Sequence, residues 1–531
     1  MKKVSDLSTI HHSRTQNSIM NMVTGLGGQL LNLILQFAVR TVFIQTLGKS
    51  YLGINGVFSN ILTMLSLAEL GIGSAILYKL YEPIAAGDQR RVTSLIRFYR
   101  TVYRYIGLTV AVLGCLLIPF LPYLAKDYDK LARLNINAVV IYLLYLARSV
   151  SSYFFFAYKS GIIKANQKEY IINVIKYFGT ILSSIVQIVL LKLFNNFTLY
   201  VFVLLFTVIG ENIIIGICAN RMYPYILDRS VEKVDRKEIR EIFRDCGALL
   251  LFNLNKVVLK ATDNLVLSSL IGFDIVALYS NYYIFYTTID TIFTRTFGAL
   301  THSLGNLHVE HDTGHEYHIF KVINLFTAIM GATAGIGVLA VADEFVSNWI
   351  GHDWIIPQPF AVLMGLEIYT LAVRHEFTRY RNSMGLFQQA KYRPLAGMII
   401  NLIASIILVK YWGICGVLVG TIASDWLTMI WFDPIIIHKY GFREKALIKG
   451  YFLRFSRYTV ITAAIAALVY FFCRTIFIGH GWFSVVFHAL FCAVTVPGLM
   501  LLLSCRSEEG RYALRFLRKQ LKTVKKKLKL G

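Results

Sequence analysis

Residues Arg40 to Ala75 read RTVFIQTLGKSYLGINGVFSNILTMLSLAELGIGSA, and residues Asp263 to Ala299 read DNLVLSSLIGFDIVALYSNYYIFYTTIDTIFTRTFGA. In each, an apolar run carrying a charge ends at Leu47-Gly48 or Ile271-Gly272, a few residues turn the chain, and a second apolar run begins. Gly48 and Gly272 stand 224 residues apart. A related spacing links Arg148 to Arg374, Gly161 to Gly385, and the Gln-Lys-Glu-Tyr ending at Tyr170 to the Gln-Ala-Lys-Tyr ending at Tyr392. The chain reads as two copies of one unit of about 220 residues, a period that points to duplicated transporter halves and not to a solenoid.

Composition places this duplication in a membrane. Of 531 residues 56% are hydrophobic and 16% charged, and the mean hydropathy is +0.57. A soluble protein of this length needs more polar surface. Apolar runs of about 20 residues suit helices crossing the ~30 Å hydrocarbon core, and the short alternating segments of a β-barrel are missing. The expectation is an all-α polytopic protein with fourteen spans, near 20–46, 54–78, 105–124, 136–158, 177–194, 199–220, 247–271, 275–298, 322–342, 359–376, 395–411, 414–437, 458–474 and 483–504. No cleavable leader is expected, because residues 1–19 are polar and the first apolar run is too long.

The net charge of +24 has a topological cause. Segments on the amino-terminal side of the alternation hold 41 of the 54 Lys and Arg, and the opposite loops hold Lys49, Lys126, Lys130 and Arg133. Both termini are therefore expected to be cytoplasmic, and the charge calls for no nucleic-acid partner. The domains follow: a cytoplasmic segment 1–19, a six-helix bundle 20–222, a cytoplasmic linker 223–246, a second bundle 247–437, two extra spans within 438–505 and a basic tail 506–531. In the tail Leu514, Leu517, Leu521, Val524 and Leu528 form one stripe amid ten cations, the pattern of a helix on the membrane surface. The basic, aromatic segment 79–104 reads either as a helix against anionic headgroups or as a solvated loop.

Local motifs carry little chemistry. The seven cysteines are scattered and odd in number, which favours neither a disulfide framework nor zinc. Asp127-Tyr128-Asp129 spells the D-x-D of some glycosyltransferases but has no second acid or large outer domain beside it. Asn196-Phe197-Thr198 fits a glycosylation acceptor close to the membrane. His302, His308, His311, His315 and His318 lack the Cys or carboxylate framework of a metal site, and none is assigned.

Charges inside the spans are more informative. Arg40, Arg148, Lys256, Lys260, Arg295 and Arg374 lie deep, each costing ~2.5–3.5 kcal/mol on insertion scales, so they need a partner or a wet cavity. Acidic candidates are Glu69, Glu211, Asp263, Asp290, Glu367 and Asp425, of which Glu69, Asp263, Asp290, Glu367 and Asp425 are the ion-coupling or ion-pair set. Lys256, Lys260 and Asp263 fall near one face of a helix, and Arg40 and Asp263 occupy nearly equivalent places in the two copies with the sign inverted. One reading makes these charges structural pairs. The favoured one gives the surplus cations an anionic substrate and leaves the carboxylates to a proton or sodium ion, with no other cofactor.

The segments LGKSYLGINGVFSNILTMLSLAELGIGSAI, DNLVLSSLIG with VALYSNYYI, Gly305-Asn306-Leu307 and KYRPLAGMIINLIASIILV with GVLVGTIASD resemble the bacterial polysaccharide flippases. These belong to the superfamily of multidrug, oligosaccharidyl-lipid and polysaccharide exporters, and the resemblance covers roughly residues 15–500. It implies two six-helix bundles in a V related by a pseudo-two-fold axis, with spans 13 and 14 added. It also implies a non-enzymatic flippase of the bacterial cytoplasmic membrane. The implied cargo is an undecaprenyl-diphosphate-linked oligosaccharide for capsular or exopolysaccharide synthesis, and the implied partners are membrane lipids and the pathway's polymerase and glycosyltransferases. The family's cationic cavity carries over onto Arg40, Arg148, Arg295 and Arg374 as candidates. A cation-coupled multidrug exporter of the same fold is the alternative, and a membrane glycosyltransferase or polymerase is the third reading.

Overall fold

A computed structural model describes residues 2–66, 72–134, 136–228, 230–309, 313–357, 359–386, 388–476 and 481–528, with the side chains of 2–16, 18–19, 22–23, 25–26, 30, 74–75, 132, 244–260, 299, 301–303, 305–306, 308–309, 476, 517 and 520–528 outside that description. The described residues form helices and no strand. The chain divides into two compact units, Met1–Ala277 and Leu278–Gly531.

The first unit begins with α1 (Lys2–Leu47), α2 (Lys49–Leu65), α3 (Ile72–Ala86) and α4 (Gln89–Leu116). It continues through α5 (Lys130–Arg133), α6 (Ala138–Phe154), α7 (Ser160–Ala165), α8 (Glu169–Phe194) and α9 (Phe197–Met222). It closes with α10 (Arg236–Leu270) and the first turn of α11 (Phe273–Val309). Asp88, Asn137 and Asn196 cap α4, α6 and α9 by accepting from the amides of Arg91, Val140 and Leu199 at 2.9, 3.1 and 3.1 Å. Asn196, read as a glycosylation acceptor, thus has a structural task. The helix α1 packs along α8, α8 on α9, α9 on α6 and α6 on α4, while α10 lies against α2 and α3.

The duplicated Leu-Gly and Ile-Gly turns are chemically explicit. Gly48 (φ 85) and Gly272 (φ 137) both take left-handed backbone, which a side chain would oppose. The two copies also meet at equivalent residues, where the Ser50 hydroxyl donates to Asp274 at 2.6 Å across the 224-residue offset. Around them Lys130 pairs with Asp127 and Asp274 at 3.0 Å each, and Asp127 accepts from the Phe273 amide at 2.9 Å. The acidic Asp-x-Asp motif therefore contributes a helix cap and an ion pair.

The basic segment 79–104 is largely the start of α4. Ser94 donates to the Glu232 carbonyl at 2.7 Å, Arg97 to that of Val231 at 3.0 Å, and Arg91 pairs with Glu238. These contacts tie Val231, Glu232 and Glu238 to α4 through its exposed basic side.

The second unit holds the rest of α11, then α12 (Thr313–Ile350), α13 (Phe360–Ser383), α14 (Arg393–Trp412) and α15 (Ile414–Ile436). It ends with α16 (Leu447–Phe471), α17 (Gly481–Ser504) and α18 (Glu508–Leu528). Its centre is α12, packed on α13, α16, α17 and α18. Small residues set the helix spacing: a Cβ on Gly365 would stand 2.8 Å from the Gly335 carbonyl oxygen, and the Ser424 hydroxyl donates to the Gly397 carbonyl at 2.6 Å.

The tail helix α18 is anchored and not merely laid down. Glu508 binds His318 at 2.7 Å and also Lys321, both on α12. Glu509, nearly fully buried, accepts from Tyr458 at 2.6 Å and from Arg457 at 3.1 Å, both on α16.

Among the described residues, by length and composition, eight helices can cross a membrane, or ten if each of two bent pairs is one span. Those helices turn apolar side chains outward, such as Leu182, Phe206 and Val494. This is a multi-pass membrane protein. Of the remaining expected segments, 54–78 falls on the short α2 and α3, and 247–271 on α10. The last two, 275–298 and 359–376, fall on α11 and α13, which are long enough but polar, carrying Asp290, Arg295, Glu367, Arg374 and Glu376.

Candidate functional site

The polar helices of the second unit build one site. On α13 the charges Glu367, Arg374 and Arg381 recur every seven residues, which keeps them near one face. Facing them, α15 carries Asp425 and Asp433 eight residues apart. The result is a ladder of ion pairs.

Arg374 sits at its centre. Its Nη2 binds Glu367 Oε1 at 2.8 Å and also Asp425 Oδ2, and its Nη1 donates to the Tyr286 hydroxyl of α11 at 3.1 Å. The Glu367 and Asp425 side chains are only 2% and 11% exposed, so the guanidinium neutralises carboxylates that water barely reaches. Glu367 Oε2 and Arg374 Nε are buried without a partner among the described residues. At the next residue of α13, His375 Nε2 meets Asp290 Oδ1 at 2.9 Å, with the imidazole stacked on Phe297. Further along, Arg381 binds both oxygens of the fully buried Asp433 at 3.1 and 3.0 Å, and Arg393 approaches the same carboxylate at 3.4 Å.

The structure thus brings together Arg374, Glu367 and Asp425, and places Asp290 beside them with His375. Against one guanidinium stand three carboxylates, so an anion approaching Arg374 must compete with protein ligands already in place. Sequence reasoning missed Tyr286, His375, Arg381 and Asp433. The seven-residue spacing from Glu367 to Arg381 was the available signal, hidden by assigning residues 377–394 to a loop.

A second group lies in the first unit and has the opposite balance. Arg40 on α1 and Arg148 on α6, both half-buried, reach the same phenol electrostatically, that of Tyr200 on α9. Arg148 also acts on Tyr145 and Glu211. Tyr200 is fixed by Phe43 at 4.9 Å edge-on and by Phe197 stacked at 6.3 Å, while Tyr145 hydrogen-bonds Asn55 of α2. Guanidinium groups suit phosphate, which they can grip bidentately.

Asp263 is buried on α10, and Arg295 is exposed on α11. Glu69 and the side chains of Lys256 and Lys260 lie outside the described residues. So do those of His302, His308 and His311, and among the described residues no group of three ligating side chains could hold a metal ion. A polar cavity of about 520 Å³ near the end of α12 is lined by Asp343, Glu344, Arg474 and Ser484. Beside it the buried His488 meets Glu344 at 3.0 Å.

No protein-family model matches the chain, and comparison with curated proteins gives no match. Among solved structures, a lipid II flippase, MurJ, in an inward closed conformation matches with TM-score 0.64 at 12% identity, over 91% of this chain and 99% of that one. An inward-facing multidrug resistance MATE family transporter of the MOP superfamily matches with TM-score 0.55 at 14% identity, over 75% and 92%. An outward-facing structure of such a transporter matches with TM-score 0.52 at 15% identity, over 79% and 93%. At these identities the likeness is one of fold. The chain has the fold shared by a lipid II flippase and by multidrug transporters of the MOP superfamily.

Proposed function

We propose that this chain is a flippase that moves an undecaprenyl-diphosphate-linked oligosaccharide from the inner to the outer leaflet of a bacterial cytoplasmic membrane by alternating access, supplying cell-surface polysaccharide synthesis. The observation that carries the reading is that α1 and α6, which bring Arg40 and Arg148, pack around α8 and α9, with Tyr200 of α9 against Phe43 of α1 and both cations acting electrostatically on its phenol. A diphosphate crossing hydrocarbon must exchange its water for fixed donors, and guanidinium forks provide them. The fold likeness to a lipid II flippase along nearly its whole length supports the same class of cargo. The Arg374, Glu367, Asp425 and Asp290 group then serves as the acid-rich partner, where a proton or sodium ion exchanges with the arginine for the carboxylates.

The acid excess in the second unit, with the likeness to multidrug transporters, favours one other reading, cation-coupled export of a cationic compound. Mass spectrometry of lipids co-purifying with the protein separates the two. A polyprenyl diphosphate carrying sugars, depleted in Arg40→Ala and Arg148→Ala, is the expected result. Its absence from wild-type protein would leave the second reading.

A further inference from the structure

Two described cations are almost fully buried, and they differ in one respect. Arg381 is neutralised by Asp433. Lys159 makes no ion pair: its ammonium donates to the Asn220 amide oxygen at 2.7 Å and lies 4.5 and 5.9 Å from the ring centroids of Phe156 and Tyr158. The chain is bent to hold it there. Between α6 and α7, Phe156 takes φ 58, a left-handed conformation that opposes an aromatic side chain, and the following turn directs Lys159 inward.

The helix α4 packs against the turn 157–159 that carries Lys159, and it brings two more cations to that side. Arg100 and Arg104, exposed and one turn apart, both act electrostatically on Tyr158, and Arg100 also acts on Lys159. Among the described residues none of the three pairs with a carboxylate. A buried ammonium without a counter-charge is costly, and a neighbouring anion offsets that cost.

We infer that Lys159, Arg100 and Arg104 form a site for the phosphate head of a lipid. Phosphate suits two guanidinium forks and an ammonium. The lipid follows from what lies beyond: in four-residue steps after Arg100 and Arg104, α4 exposes Leu108 (55%), Val112 (52%) and Leu116 (61%). Residues spaced by four lie on one helix face. At ~1.5 Å per residue the stripe from Arg104 to Leu116 runs about 18 Å, close to the ~15 Å half-thickness of the hydrocarbon core. Cationic head and apolar stripe together match one lipid standing in a leaflet. The site stands on this geometry whether or not the transported molecule is itself lipid-linked. The shared chemistry is a lipid phosphate, from an anionic phospholipid or from a polyprenyl diphosphate.

The test measures binding of three lipids to the purified full-length protein by native mass spectrometry: dioleoylphosphatidylglycerol, undecaprenyl diphosphate and, as zwitterionic control, dioleoylphosphatidylcholine. Wild-type protein should prefer at least one anionic lipid to the control. Arg100→Gln/Arg104→Gln, which changes only exposed side chains, should bind it about tenfold more weakly or worse, since hydrogen bonds to charged groups contribute about that much. Lys159→Gln should show the same loss. Equal binding of both anionic lipids assigns the site to bulk phospholipid, and preference for undecaprenyl diphosphate assigns it to polyprenyl carriers. A wild-type protein that does not prefer either to the control, or a double variant with unchanged affinity for both, would overturn the site.

Discussion

Replacing Arg374 with alanine removes the guanidinium that bridges Glu367 and Asp425, whose side chains are 2% and 11% exposed. Leaving a buried pair without its cation costs about 3–5 kcal/mol, and the Tyr286 hydroxyl loses a hydrogen bond worth a further ~1 kcal/mol. Against typical stabilities of about 5–15 kcal/mol, that loss takes roughly a quarter or more of what holds a domain folded. Arg374→Ala should therefore accumulate poorly in membranes and lose solubility at lower temperature after extraction. Arg374→Lys keeps one charge but loses the fork that spans two carboxylates and a phenol, and should fall between. The decisive variant is Arg374→Ala/Glu367→Gln/Asp425→Asn, which removes the stranded charges and should recover abundance. Quantitative immunoblotting of membranes with a heating series on the extracted protein gives both readouts. An Arg374→Ala protein as abundant and heat-resistant as wild type would refute the buried-charge argument. A recovered triple variant that remains inactive would show that transport needs the charges themselves.

Asp127→Ala should destabilise the first unit by roughly 0.5–2 kcal/mol, because the α11 cap and a partner of Lys130 go together, while Asp127→Asn should retain most of the cap; thermal unfolding of the purified proteins checks both. Gly335→Val should prevent α12 from approaching Gly365, whereas Gly337→Val, with nothing within 4 Å of its added Cβ, should be tolerated; membrane abundance of the two variants is the comparison. The hydrogen bond from Lys321 holds the Glu508 carboxyl below the ordinary range. The α18 anchor is thus fully present above the ordinary Glu value of about 4.3 and is lost as pH falls through the lower folded value. The protection of α18 amides, corrected for intrinsic exchange, should fall selectively in acid, and Glu508→Gln should show that loss of protection already at neutral pH.

Much of the fold was legible because lipid-facing helices must be long and apolar, and the described residues of the fourteen expected segments fall mainly on helices. The duplication was legible through its turns, since glycine at Gly48 and Gly272 is demanded by left-handed backbone. The partners of the buried charges were harder to read. Arg374 and Glu367 share a helix face and could be paired from spacing, but Asp425 and Tyr286 arrive from α15 and α11, which sequence distance does not reveal. Arg381 and Asp433 were missed because a charge near an expected span end reads as solvated, whereas the chain buries both. Lys159 fell in an expected loop for the same reason, and only the strained turn at Phe156 shows that it points inward.

The most direct test of the central claim is transfer across a bilayer. Purified full-length protein is reconstituted into vesicles carrying a fluorescent undecaprenyl-diphosphate oligosaccharide, and access of a membrane-impermeant quencher to the label is followed in time. The account predicts protein-dependent transfer between leaflets that Arg40→Ala/Arg148→Ala abolishes while the variant reconstitutes in normal amounts. Vesicles whose label stays in its leaflet with wild-type protein, yet which expel a cationic dye in response to a proton or sodium gradient, would contradict it.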